Sequence, residues 1–365
     1  MRRQFLVRKA PRERLQNVVS EVCGIQAQVL TAAELALRAR VDGIRQQDVR
    51  DALWKDHSIL KTWCMRGTLH LLSTADLPLY VGALTSKLES SVNWLRDNEG
   101  IAESETKLII SSIKGAFVKN RVLTRELLSR TIERNAGLPV KARRQLRDAW
   151  GTLLRPSAYR GELAFGPNIG AKVTFVNPRL WTKRWEEPEA REAFRELLGK
   201  FFETYGPTDA KEFSHWWGGL LGGEKSVLKA FLEDLEQVRV MGKEWGFMPN
   251  SAAKEAEGLD VPKLVRLLPS FDSYGMFYSP RDAFVSRAFQ GRIFSQEAGW
   301  IFPSLVVDGV ATGVWRVRKA GSKAKVDVEP FRSLTEEEKD GVREESEDVG
   351  RFLGVSIETK FKRLL

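Results

Sequence analysis

The chain is short of the residues on which much familiar enzyme chemistry rests. Its 365 residues include two cysteines, Cys23 and Cys64, and three histidines, His57, His70 and His215. Two cysteines cannot form a disulfide framework or a cysteine-rich zinc site. Both lie in apolar segments, where a thiol packs as a small hydrophobe. The histidines show no His-x-x-x-His spacing and no clustered carboxylate, so the usual metal-ligand patterns are missing and neither metal nor cofactor is expected. No apolar run approaches the roughly twenty residues that a membrane span needs. The stretch Met1 to Lys9 is charged without the apolar core of a secretory signal. The expectation is a protein of the reducing cytoplasm with no membrane partner.

What the chain has in excess is positive charge. Lys and Arg number 58 against 48 Asp and Glu, a formal net charge of +10, so the summed field attracts polyanions. Nucleic acid is the first partner class and an anionic membrane surface the second. With 42% hydrophobic and 29% charged residues the chain is globular, and its length allows more than one domain.

Leu15, Val18, Val19 and Val22 recur at helical spacing. A second helix is expected from Thr31, as N-cap, to Arg40, and a third from Gln46 to Trp54. Ile59 to Leu72 then reads as a β-hairpin turning at Arg66-Gly67. The same order returns with helices at Glu103–Val118, Thr124–Arg134 and Val140–Leu154, and a hairpin at Ala158–Phe165 around Arg160-Gly161. A third round has helices near Ala190–Thr204, Thr208–Trp217 and Glu224–Leu235, then a hairpin at Val238–Met248 turning at Gly242-Lys243. A helix-helix-helix-hairpin unit therefore repeats about three times. After Pro262, short apolar runs alternate with turns such as Asp308-Gly309, which predicts a β-rich, barrel-like module closed by a charged helix from Thr335 to Leu353. The fold class is α+β: tandem winged-helix modules followed by a β-rich module. The expected boundaries are 1–100, 101–187, 188–262 and 263–365.

Between the first two helices stands Cys23-Gly24-Ile25-Gln26-Ala27-Gln28. In an extended segment, residues two apart point the same way, so Gln26 and Gln28 would form a pair of carboxamides. In a helix they would diverge by about 200°. A carboxamide does not titrate near neutral pH, so the pair cannot be a general acid or base, but it can orient a water molecule. Glutamines in such a loop can equally cap helix ends or hold phosphate.

Basic residues fall where a duplex backbone could be tracked. Arg66, Arg160 and Lys243 are expected at the three hairpin tips, and Lys141, Arg143, Arg144, Arg147 and Arg155 load one helix of the second module. His70, between Leu69 and Leu71, faces either the glutamine motif and DNA or a structural hydrogen bond. Trp216-Trp217 is more simply core than a stacking platform.

Cys23 to Gln28, the hairpin from Met65 to Leu72, Phe271-Asp272-Ser273-Tyr274 with Arg281, and Gly313-Val314-Trp315-Arg316 together resemble the AlkZ/YcaQ-type DNA glycosylases, over nearly the whole chain. Gln28 resembles the AlkZ side, since some relatives carry Asp there. The resemblance implies a metal-free, hydrolytic glycosylase acting on double-stranded DNA. It would remove cationic N7-alkylated purines and unhook interstrand crosslinks, with Gln26 and Gln28 as catalytic residues. It also implies a nucleoid-associated protein able to work as a monomer at a shallow, open site. The rival from another class is a non-catalytic winged-helix regulator or lesion-binding protein, which shares every basic feature and differs only in having no use for the carboxamide pair.

Overall fold

A computed structural model describes residues 1–118, 121–136, 138, 140–146, 151–182, 185–240, 243–256, 263–278, 280–295 and 299–362. The chain opens with α1 (Leu15–Glu21), the two-residue strand β1 (Ile25–Gln26), α2 (Leu30–Arg38), α3 (Gln46–Trp54) and the hairpin β2 (Ile59–Trp63) with β3 (Leu69–Ser73). There follow α4 (Leu77–Ala83), α5 (Thr85–Glu99), α6 (Glu103–Ala116), β4 (Leu123–Thr124), α7 (Arg125–Ala136), α8 (Val140–Leu146), α9 (Arg155–Tyr159), β5 (Ala164–Phe165) and β6 (Thr174–Val176). Next come α10 (Ala190–Tyr205), α11 (Ala210–Trp217), α12 (Glu224–Glu233), the hairpin β7 (Glu236–Val240) with β8 (Lys243–Met248), and α13 (Asn250–Ala256). The last part holds β9 (Val265–Leu268), three short helices α14 (Ser273–Met276), α15 (Arg281–Phe284) and α16 (Gln290–Ile293), then β10 (Ser304–Val307), β11 (Val310–Ala320), β12 (Lys323–Pro330), α17 (Glu336–Leu353) and β13 (Ser356–Phe361).

These elements form two compact units that cut across the four expected segments. The first is Met1–Asp51, Lys200–Phe213 and Asp234–Leu365; the second is Ala52–Gly199 and Ser214–Glu233.

In the first unit, five strands run in the order β13-β12-β11-β10-β9, antiparallel except for the parallel β12–β13 pair. That order leaves β9 and β13 as edges, so among the described residues the sheet is open and the barrel expectation is corrected. Asp308 and Gly309 take positive φ of 49° and 87° between β10 and β11, as a two-residue hairpin turn requires. Helix α17 starts in a capping box: the Glu338 backbone N–H donates to Thr335 Oγ1 at 3.2 Å, and the Glu338 carboxylate accepts from the Thr335 N–H at 2.9 Å. Its acidic run is thus the first turn of a helix, where the dipole favours carboxylates.

The N-terminal helices are joined to this sheet by buried charge. Arg40, 1% exposed, grips Asp272 with two parallel bonds of 2.7 Å. Arg38, equally buried, donates to Glu345 at 2.8 Å, Asp348 at 3.2 Å and the Leu267 carbonyl at 2.7 Å. Burial works against the charge on Arg40 and the Asp272 carboxylate outweighs it, so the guanidinium pKa is raised. Burial likewise opposes ionisation of Glu345, but Arg38, Lys9 and Arg266 hold its pKa below the ordinary carboxylate range. Leu6, Ala39, Leu268, Phe284 and Val306 pack into one apolar cluster in the same region.

In the second unit, strands follow the order β3-β2-β5-β6-β4. Trp63 on β2 meets Phe165 in a tilted contact and stacks on Phe175, at 4.8 and 6.4 Å between ring centroids. A Cβ on Gly151 would fall 2.6 Å from the Trp63 ring, so only glycine fits there.

Several sequence expectations are corrected here. Ala158-Tyr159 is not a strand: Arg155–Tyr159 is helical, with Pro156 in its first turn and Gly161 at φ 67° just past its end, the usual start and stop residues. The second hairpin is β5–β6, so its connection runs through 166–173 and Arg160 is not at its tip. Helix α2 begins at Leu30 behind Val29, not under a Thr31 cap. Of the expected Val140–Leu154 helix, Val140–Leu146 is helical, 147–150 lie outside the described residues, and Thr152–Leu154 is a 3-10 turn behind Gly151 at φ 64°. Val240 pairs with Lys243, so Lys243 belongs to a strand, while Gly242 of the expected Gly242-Lys243 turn lies outside the described residues.

Replacing Arg40 with Met should strand the Asp272 carboxylate in the core. The expected loss is about 3–5 kcal/mol, read as a shift in urea midpoint, and Arg40→Met/Asp272→Leu should recover much of it. Equal losses in the single and double variants would contradict the pairing.

Candidate active site

The Gln-x-Gln segment is shaped by the way α1 ends. Val22 N–H donates to the Val18 carbonyl at 3.0 Å, and then Cys23 and Gly24 both adopt positive φ, 58° and 84°. The Gly24 N–H folds back to the Val19 carbonyl at 2.9 Å, a helix-terminating bond. The chain leaves extended through Ile25–Gln26 and bends at Gln28 before α2. Ile25 and Ala27 are buried, Gln26 is half-buried and Gln28 is exposed. The helical alternative, which would have separated the two side chains, does not occur.

Residues 200–205 of α10 brace this turn. The Thr204 hydroxyl donates to the Glu21 carbonyl at 2.5 Å, the Tyr205 hydroxyl to the Val22 carbonyl at 2.8 Å, and Lys200 Nζ to Ser20 Oγ at 3.0 Å. Burial raises the Tyr205 pKa, so its hydroxyl remains a donor. Cys23 Sγ is 3.9 Å from Thr204 Oγ1 in the same buried cluster. One turn into α2, the buried Glu34 accepts from Arg50 Nε at 3.1 Å and Gln46 Nε2 at 2.6 Å, which commits that carboxylate to structure.

A second cluster surrounds the β2–β3 connection. Arg66 sits at φ 56° and is pinned: its NH1 donates to the Trp216 carbonyl at 2.5 Å and its NH2 meets His70 Nε2 at 3.0 Å. His70 Nδ1 donates to the Thr68 carbonyl at 3.1 Å, which leaves the lone pair on Nε2. Burial, then the Arg66 charge, lowers the His70 pKa well below the ordinary imidazole value, so the ring is neutral. At 2% exposure His70 is not presented to a phosphate; it orients Arg66. Trp216 and Trp217 are core, at 1% and 0% exposure, and a Cβ on Gly218 would fall 2.7 Å from Arg66 Cα. Burial pushes the Cys64 thiol up to about 12, as expected of an inert core cysteine.

Of the basic strip, Lys141, Arg143 and Arg144 are exposed on α8, and Lys141 lies 3.6 Å from Glu99. Arg147 lies outside the described residues. Arg155 has left the strip for the start of α9, with its guanidinium beside Gly67. Arg160 is exposed at the end of α9, and Lys243 is the first residue of β8. Asp272 is the partner of Arg40, and Arg281 lies over the Phe294 ring at 4.8 Å. Among the described residues no group of three or more His, Cys, Asp or Glu could hold a metal ion. No described helix is long and apolar enough to cross a membrane.

A family model described as DNA glycosylase AlkZ-like matches residues 19–352. The chain belongs to this AlkZ-like family. It is 32% identical over 372 positions to an interstrand DNA cross-link repair glycosylase of Streptomyces sahachiroi, with 98% of this chain and 95% of that protein covered. The solved structure of the Streptomyces sahachiroi DNA glycosylase AlkZ aligns with a TM-score of 0.84 at 28% identity, over 99% of this chain and 97% of the other. For an AlkZ-like chain the enzyme class is DNA glycosylase and the partner is DNA, in keeping with the positive charge.

Sequence reasoning missed Lys87, Ser90, Ser91 and Trp94, which recur at helical spacing along one side of α5. The 87, 90, 91, 94 pattern was available as a signal.

Tyr205→Phe removes the donor to the buried Val22 carbonyl and should cost about 1–3 kcal/mol. Hydrogen exchange should show faster exchange across residues 22–28, whereas unchanged protection there would refute the bracing role.

Proposed function

We propose that this AlkZ-like chain excises cationic N7-alkylated purines from double-stranded DNA, including the bases of interstrand crosslinks, by hydrolysis of the N-glycosidic bond. Gln26 and Gln28 orient the water. The observation that carries this is the short strand Ile25–Gln26 with the bend at Gln28 that follows it, where Ile25 and Ala27 are buried while Gln26 is half-buried and Gln28 exposed. Support comes also from the relative named as an interstrand DNA cross-link repair glycosylase.

The chemistry suits so weak a group. Alkylation at N7 gives the base a positive charge, so the C1′–N9 bond can break with its electron pair neutralising the leaving base, and no acid is needed. The oriented water adds to C1′ of the oxocarbenium-like sugar and loses its proton to solvent. The carboxamide oxygens position the water and their dipoles favour the cationic sugar. Ordinary glycosidases need an acid and a carboxylate because their leaving group is neutral oxygen. An exposed Gln28 is consistent with a shallow site that admits bulky lesions.

DNA is held by tandem winged-helix modules through backbone contacts, with Lys141, Arg143, Arg144, Arg160, Lys243 and Arg66 as phosphate ligands and His70 acting through Arg66. A monomer at the nucleoid satisfies this scheme.

Gln26→Ala and Gln28→Ala should each lower single-turnover excision of N7-methylguanine by about 10²–10³-fold, measured as abasic sites in a duplex, while duplex affinity stays within about twofold of the wild type. Wild-type protein that binds such lesions and releases no base would instead mark a lesion-binding or regulatory protein.

A further inference from the structure

Within the second unit a pocket of about 350 Å³ opens beside the β2–β3 connection, and of its lining residues the proposed function uses only Arg66. Its wall combines Arg66, Arg155 and Lys87 with Ser90, Ser91 and Trp94, and no carboxylate is among its lining residues. The three cations come from three separate elements, and two of them, Arg66 and Lys87, are held by neutral acceptors. Arg66 donates to the Trp216 carbonyl and to the lone pair of a neutral His70. Lys87 Nζ donates to the carbonyls of Gly218, at 3.0 Å, and Gly219. Its ammonium also lies over the Trp217 ring at 5.6 Å. Arg155 lies where Gly67 leaves it room: a Cβ there would fall 3.0 Å from its NH1. Arg155 Nε is buried, and among the described residues it has no hydrogen-bond acceptor. The carboxylate whose field acts on Lys87 is Glu224, which is itself engaged by Trp217 Nε1 at 3.1 Å and the Leu221 N–H at 2.7 Å.

Three cations gathered around one pocket repel one another, and neutral acceptors fix Arg66 and Lys87 without cancelling their charge. An anion rich in acceptor oxygens relieves that repulsion. Two guanidinium forks, an ammonium and two serine hydroxyls match a phosphate group. Trp94, 45% exposed at the rim, offers an apolar face to the sugar attached to it. We infer that this pocket is a binding site for a backbone phosphate of DNA, with Trp94 against the adjoining deoxyribose. The inference rests on the DNA-binding part of the proposed function and is independent of excision.

Anisotropy titrations of an undamaged duplex, between about 50 and 200 mM salt, test it in the full-length protein. Lys87→Gln and Arg155→Gln should each weaken binding by roughly 5–20-fold and flatten the slope of log K against log salt by about 1, the loss of one phosphate contact. A duplex carrying a single neutral methylphosphonate, moved along each strand, should show one position at which the wild type loses affinity and the variants lose nothing further. Wild-type affinity and slope in both variants would overturn the site. So would calorimetry in which inorganic phosphate binds the wild type and not the variants while duplex affinity is unchanged, since the pocket would then serve a free phosphate. Lys87 is only partly buried, so its variant carries the test if Arg155→Gln does not fold, and Arg155→Lys separates loss of the planar fork from loss of charge. Normal excision with pocket-independent binding sinks this site alone. Pocket-dependent binding without excision sinks the glycosylase reading alone.

Discussion

Much of the first unit depends on two buried arginines. Arg38 at the end of α2 and Arg40 just beyond it are each about as buried as a core leucine, and each is neutralised by carboxylates more than two hundred residues away in sequence. Such pairs contribute little net stability, because desolvation consumes most of the Coulombic gain, but they tolerate few alternatives. A guanidinium taken out of water must meet its carboxylate at the right angle or remain uncompensated. This constraint fixes α2 against β9, α14 and α17, and so fixes one end of the Gln-x-Gln segment. The other end is held by the Thr204 and Tyr205 hydroxyls on the carbonyls that close α1. A loop carrying two flexible glutamines is thereby held between two rigid anchors, as preorganised dipoles require.

That arrangement suits the proposed role of Gln26 and Gln28, a pair with no titrating group. Where the substrate's own charge activates the leaving group, the protein's contribution is water position and a favourable field, and carboxamides supply both without depending on pH. The buried histidine of the hairpin follows the same economy. His70 stays neutral beside Arg66, and its fixed lone pair orients a cation instead of exchanging a proton.

The α+β class, the hairpins at 59–73 and 236–248, the Asp308-Gly309 turn and the capped helix after Thr335 were legible because each depends on local rules of periodicity, turn residues and caps. Arg160-Gly161 misled because Arg-Gly after an apolar pair fits a hairpin tip as well as a helix end. Pro156, at the start of a short helix, was the clue that separates them. Asp272 stood out in the sequence only as part of the Phe271–Tyr274 motif; that its partner is Arg40 is decided by tertiary packing. Arg155 left the basic strip because Gly151 is left-handed, Thr152–Leu154 is a 3-10 turn, and Arg155 opens a new helix. The two compact units could not be read from the segment boundaries, because residues 200–213 group with both ends of the chain.

The central claim is that the lesion's positive charge, and not a protein acid, makes the base leave. Single-turnover excision should be compared on one duplex sequence carrying either N7-methylguanine or its uncharged 7-methyl-7-deaza isostere. Efficient release of the cationic base with no detectable release of the neutral one is predicted. Comparable rates on both would require a proton donor that Gln26 and Gln28 cannot provide, and would contradict the account.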